Sequence, residues 1–240
     1  MDLIAVDSLW ADDLRSRIAR DLGMPRSHVV FAASHTHFGP ESRLGNAAPW
    51  SAAHLARLEQ MTEAIAQGAA RLAQKLAPCS LHVGSENVAS QMYNRRLIRP
   101  DGTCCTVFRL PPPEENLSFG PVDPRLAVLR LDAANGRPAA LATSVGIHPV
   151  VGGRDFYAIS PDYPAVLRQT LESVYAAPAL FFLSTAANVV PVRRGPRERS
   201  RIGRTLAGAA IMAAEGAERV EGSINVEWER LDVPRVPPHP

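Results

Sequence analysis

Cysteine is scarce. Cys79, Cys104 and Cys105 are the only three in 240 residues. They supply neither the even set of a disulfide framework nor the paired spacing of a structural zinc site. Neighbouring Cys104 and Cys105 point apart on an extended chain and do not bridge. This usage fits a reducing compartment, the cytoplasm. Long apolar runs are also missing. No stretch reaches the roughly 18 residues of a membrane span, and no signal peptide opens the chain. Nor is there an excess of one charge. With 26 basic and 24 acidic residues the net charge is +2, which excludes the broad basic surface of a nucleic-acid binder. The one basic cluster, Arg193 to Arg204, borders a helical pattern and reads as a solvated helix face. Internal repeats and low-complexity segments are absent.

What is present is ordinary for a soluble globular chain, 46% hydrophobic and 21% charged, with ample length for a full core. Leu3–Val6 reads as a short buried strand. Asp7-Ser8 then caps a helix over Leu9–Leu22, with Leu14, Ile18 and Leu22 four apart and Gly23 ending it. Val29–Ala33 is the next strand, and a β-helix-β order predicts a parallel pair. Ser51 caps a helix running to about Leu76, stopped by Pro78. Ser80–Val88 alternates as a strand, Met92–Arg96 looks irregular, Pro100-Asp101-Gly102 is a turn, and 108–122 is a proline-rich loop. Leu126–Leu131, the Asn135-Gly136 turn and Ala139–Ile147 make a hairpin. Pro161-Asp162-Tyr163-Pro164 opens a helix to Tyr175, Ala179–Leu183 is an apolar strand, Arg199–Val220 an alanine-rich helix and Ser223–Leu231 a last strand. The expected fold is α/β, a mixed parallel/antiparallel sheet flanked by helices.

Seven histidines are present. His28, His54 and His239 fall at exposed positions, and His82 lies in a strand with no evident partner. His35, His37 and His148 each fall where a strand runs out into a loop. Residues i and i+2 of an extended chain face one side, so His35 and His37 converge on one site or merely meet water at a strand end. Imidazoles converging with a carboxylate or phenol make a zinc site with an open position, which activates water and polarises a carbonyl. Ser160 reads as a helix N-cap, or as a hydroxyl placed where the helix dipole favours an oxyanion. Arg95 and Arg96 are surface arginines or hold an anionic or carbonyl oxygen.

Taken in order, several stretches form a series: Ala33-Ser34-His35-Thr36-His37-Phe38-Gly39-Pro40, Asn94-Arg95, Asp123-Pro124 with Leu126–Leu131, Ile147-His148-Pro149, Ile159-Ser160-Pro161-Asp162-Tyr163, and Phe181-Phe182-Leu183 running to Pro191. Together they resemble the N-terminal catalytic domain of the neutral (non-lysosomal, also called alkaline) ceramidase family, with the spacing of its shorter bacterial relatives. The resemblance implies a zinc-dependent amidase that splits the N-acyl bond of ceramide, or of a related small-molecule or lipid amide. It implies His35 and His148 as zinc ligands, His37 as a helper near the substrate, Arg95 as a substrate contact and Ser160 at the reaction centre.

Three departures go with it. The family completes its zinc site with a Glu and a Tyr beyond the matched region. Its Gly-Asp near the last apolar strand appears here as Ala187-Asn188, and Phe38 stands where a small residue is usual. On this reading residues 1–233 are a single domain incomplete at both ends, and 234–240 are a proline-rich tail. Two other readings stand beside it. One is a non-catalytic remnant of the fold that binds a lipid-like ligand. The other is a metal-dependent amidohydrolase of barrel type, against which the hairpin argues.

Overall fold

The structure is a computed structural model that describes residues 1–42, 50–112, 117–227, 229 and 231–234. Its strands, in chain order, are β1 (Cys79–Asn87), β2 (Met92–Asn94), β3 (Arg96–Ile98), β4 (Cys104–Thr106), β5 (Ser118–Phe119), β6 (Arg125–Ala133), β7 (Pro138–Val145), β8 (Ala179–Leu183), β9 (Val189–Pro191) and β10 (Glu218–Val220). The helices are α1 (Ser8–Leu22), α2 (Ala52–Ala73), α3 (Tyr163–Tyr175) and α4 (Pro196–Glu215). A five-stranded sheet in the order β10-β1-β6-β7-β8 forms the centre. Every pairing in it is antiparallel except β7 with β8, which run parallel. This is the expected mixed α/β architecture, and an eight-stranded parallel barrel is ruled out.

Burial follows the pleat. Along β6, Leu126 and Val128 are fully buried while Leu129 and Leu131 face outward. Helices α3 and α4 cover the buried face with Tyr163, Leu167, Leu171, Ile202 and Leu206. Gly84 on β1 lets α4 come close, because a Cβ there would lie 2.0 Å from the Ala213 carbonyl oxygen. The β6–β7 hairpin turns where expected, with Gly136 at φ 76°, a value that favours glycine. A second cluster joins α1 to α2 through Trp10, Leu14, Ile18 and Leu58. Asp7 caps α1 by accepting from Leu9 N at 3.0 Å, and Gly23 ends it at φ 61°.

Several expectations need correction. Leu3–Val6, which bends at Leu3 and Ile4, and Val29–Ala33 belong to no sheet. They keep the parallel sense through Met1 N to Ala32 O (2.8 Å), Ser34 N to Met1 O (2.9 Å) and His35 N to Leu3 O (3.0 Å). Met92–Arg96 is not irregular: β2 pairs with the distant β9, and β3 follows at once. Helix α2 stops at Ala73 rather than Leu76, and α4 spans Pro196–Glu215 rather than Arg199–Val220. Among the described residues the last strand is β10, set by pairing with β1. Residues 223–227 are irregular, leaving Ile224 85% exposed; Trp228, Arg230 and the tail 235–240 lie outside the described residues. His82 has partners: Ser80 Oγ, two residues earlier on β1, at 3.1 Å, and Asp132 across on β6 at 3.4 Å.

Candidate metal centre

The site lies beyond the carboxyl ends of the parallel pair β7 and β8, where open α/β sheets place ligands. Past β7, His148 N donates to Val189 O at 3.1 Å and Val150 N turns back to His148 O at 2.9 Å. The His-x-His segment is tied to this turn, since His37 N donates to Pro149 O at 3.3 Å. It is tied to Ser160 on both sides of His37. Thr36 Oγ1 donates to Ser160 O at 2.7 Å, and Ser160 N donates to Phe38 O at 2.9 Å. His35 adopts φ 63°, left-handed and strained for a residue with a Cβ. The tertiary ties on both sides hold it there.

These ties bring three rings together. Ring centroids lie 4.6 Å apart for His35 and His148, and 5.1 Å from each of these to His37. Their candidate ligand atoms all fall within 4.8 Å of one another. His35 Nδ1 lies 2.5 Å from Ile4 O, and His148 Nδ1 lies 2.8 Å from Ala186 O. A carbonyl oxygen only accepts, so each Nδ1 carries the hydrogen and each Nε2 presents a lone pair. The two Nε2 atoms face each other at 3.1 Å. Two acceptors at that distance repel unless a cation or a proton stands between them. Burial pushes the pKa of His148 down, opposed by the Ala186 carbonyl and reinforced by the positive charges of Arg95 and Arg194. The neutral imidazole is therefore favoured at His148, which leaves its Nε2 lone pair open, a donor compatible with a metal cation. A tetrahedral zinc bound at its usual distance places two imidazole nitrogens about 3.3 Å apart. The backbone carbonyls fix the tautomers, as outer partners of metal-bound histidines do.

The structure brings Ser160 and Arg95 to the edge of this cluster. Ser160 is 9% exposed, and its Oγ accepts from Asp162 N at 3.0 Å and from Arg199 Nη1 at 2.9 Å. It is not the N-cap of α3. Asp162 is, accepting from Tyr163 N at 2.7 Å through Oδ1. The other oxygen of Asp162 accepts from Val151 N at 2.6 Å and Gly152 N at 3.4 Å. Burial pushes this carboxyl up to about 6, against the pull of the three amides and Arg199. Arg95 and Arg96 separate: Arg96 is exposed, while Arg95 N donates to Asn188 O at 2.7 Å. The Arg95 guanidinium lies 5.4 Å from the Phe108 ring centre and is close enough to His148 to depress its pKa. Phe38 packs edge-on against Phe156 at 5.0 Å, filling the space beside Gly152.

The basic run after β9 is not simply a solvated face. Arg199 reaches Ser160, and Arg194 lies over Phe108 at 5.7 Å. Sequence reasoning missed both, because the tie that carries them inward, Gly195 N to Val151 O at 2.6 Å, is long-range. The glycine between the basic residues was the available signal, since Gly195 sits at φ 134°.

No family model and no curated protein matches the chain. Among solved structures it is similar to neutral ceramidase from Pseudomonas aeruginosa, at 22% identity and TM-score 0.64 over 92% of this chain and 37% of that one. It is also similar to a ceramidase solved as a complex with C2, at 21% identity and TM-score 0.63 over 92% of this chain and 36% of that one. The chain thus spans little more than a third of the length of these enzymes. At this identity the likeness is one of fold: the chain has the fold of the bacterial neutral ceramidases over nearly its whole length.

Proposed function

We propose that this chain carries part of a zinc-dependent hydrolase of N-acyl amide bonds, ceramidase-like, acting on ceramide or a related lipid amide. The observation that carries the reading is the pair of Nε2 lone pairs 3.1 Å apart, each with its Nδ1 tied to a carbonyl. His35 and His148 would hold the zinc. Bound there, zinc supplies Lewis-acid polarisation of the amide carbonyl and activation of water. His37, the exposed member of the cluster, takes up and returns the proton that moves between attacking oxygen and leaving amine. Arg95 binds and orients a polar group of the substrate. Ser160 is a positioning residue: with Asp162 N and Arg199 both donating to its Oγ, it locks the segment that holds His37 rather than attacking.

A second reading, a fold that binds metal or a lipid-like ligand without turnover, has one observation in its favour. Among the described residues the cluster contains three imidazoles and no carboxylate. Metal content and hydrolysis of a fluorescent ceramide separate the two. Zinc in the wild type with turnover abolished in His35→Ala and His148→Ala supports the hydrolase. Zinc without turnover supports the second reading, and no zinc with unchanged behaviour of the variants removes the hydrolase.

The helices also bear on membrane partners only in a limited way: among the described residues none is long and apolar enough to cross a membrane.

A further inference from the structure

Three arginines carry a buried guanidinium nitrogen with no hydrogen-bond partner among the described residues, and they differ in one respect. Arg130 pairs with Asp132 at 3.0 Å and Arg168 with Asp2 at 2.7 Å. Among the described residues no carboxylate pairs with Arg194. Its Nε and Nη2 are both buried, and neither meets an acceptor among the described residues. A buried donor without an acceptor is unfavourable, and one that persists calls for an explanation.

Its surroundings point to a ligand. Arg194 and Arg95 lie over the same ring, Phe108, at 5.7 and 5.4 Å. Arg95 is anchored by Asn188 O, and the next residue, Val189, accepts from His148 N, so the pair stands directly beside the histidine cluster. Arg199, a third cation nearby, is already engaged with Ser160. The carboxylate that acts on Arg194, Asp162, already accepts from three backbone amides. Phe108 is 54% exposed and offers an apolar flank. Two guanidinium groups over one ring, two nitrogens of Arg194 without an acceptor among the described residues, and no carboxylate of those residues bonded to either group suit a carboxylate, which a guanidinium holds through two parallel hydrogen bonds.

We propose that Arg194 and Arg95 form a carboxylate subsite beside the metal centre, and that the amide substrate carries that carboxylate on its amine portion, as an N-acyl amino acid does. The substrate part rests on the hydrolase reading; the carboxylate subsite does not. The same chemistry could serve the fatty acid that hydrolysis releases, and the test separates the two.

The full chain, freed of metal by a chelator so that nothing is turned over, is titrated calorimetrically with N-dodecanoylglycine, its uncharged counterpart N-dodecanoylethanolamine, and dodecanoate. The expected result is that the acylglycine binds about 10- to 100-fold more tightly than the ethanolamide, the range of a charged hydrogen-bonded contact. Arg194→Gln abolishes that preference, Arg194→Lys restores part of it, and Arg95→Gln reduces it independently should Arg194→Gln fold poorly. Equal binding of the acylglycine and the ethanolamide, or a preference untouched by both Gln variants, overturns the subsite. Dodecanoate binding as tightly as the acylglycine, with the same dependence on Arg194, overturns the placement of the carboxylate on the amine portion. Because binding is read without turnover, the subsite and the hydrolase reading can fail separately.

Discussion

Asp162 offers a test in which burial and hydrogen bonding oppose each other with a measurable sign. Its carboxylate is 1% exposed and accepts from three amides, Tyr163 N on one oxygen, Val151 N and Gly152 N on the other. Burial wins, pushing the carboxyl up to about 6 from 3.8. A raised carboxyl pKa means that the folded protein favours the protonated form. That contribution to stability is complete below about pH 4 and is lost as pH rises through about 6. The shift is worth roughly 3 kcal/mol at 1.36 kcal/mol per unit.

Asp162→Asn does not titrate, yet its amide nitrogen must face at least one buried N–H that now lacks an acceptor, a cost of about 1–3 kcal/mol. Urea melts of both proteins from pH 4 to pH 8 cancel every other titration when subtracted. The variant should be less stable at pH 4, and its deficit should shrink by up to about 3 kcal/mol by pH 7. A deficit that stays flat or widens with pH refutes the reasoning: it would mean that the three amides and Arg199 hold the carboxyl at or below its ordinary value.

Other expectations follow from the same geometry. Gly84→Ala would place a Cβ 2.0 Å from the Ala213 carbonyl, forcing α4 off the sheet; a loss of about 1–3 kcal/mol in urea melts is expected, and an unchanged midpoint counts against the packing described. Thr36→Val removes the buried bond to Ser160 O, leaving that carbonyl without its donor. It should cost about 1–2 kcal/mol and weaken zinc binding as the neighbouring His35 loses its brace; unaltered zinc affinity would show that the tie is dispensable. Zinc at about 100 times its Kd should raise wild-type stability by about 2.7 kcal/mol, a Tm rise of roughly 5–10 °C. That rise should vanish in His35→Ala and in His148→Ala, read by thermal melts with and without chelator.

Much of the fold was legible where the signal is local. Asn135-Gly136 dictates its hairpin through the backbone freedom of one glycine, and Asp7 with Gly23 brackets α1. The histidine cluster was legible because His35, His37 and His148 all follow β-prone runs, which leave side chains at strand ends. What stayed hidden depends on partners far along the chain. The three residues of β2 carry no usable alternation, and only β9 makes them a strand. Ser223–Leu231 alternates well, yet residues 223–227 lie outside the sheet, because β1 takes its neighbour from Glu218–Val220. His82 looked alone until register placed Asp132 beside it. Ser160 passed for an N-cap because it precedes α3; the cap is Asp162, two residues later. Arg194 and Arg199 looked like solvated charge, and only the backbone tie of Gly195 to Val151 turns that segment toward the site.

The central claim is that His35 and His148 together hold a zinc ion through Nε2. Zinc K-edge X-ray absorption on the zinc-loaded full chain tests it most directly. The account predicts two imidazole nitrogens at about 2.0 Å in the wild type, with one lost in His35→Ala and one in His148→Ala. An imidazole shell that survives both substitutions, or wild-type protein that holds no zinc at equimolar metal, would contradict it.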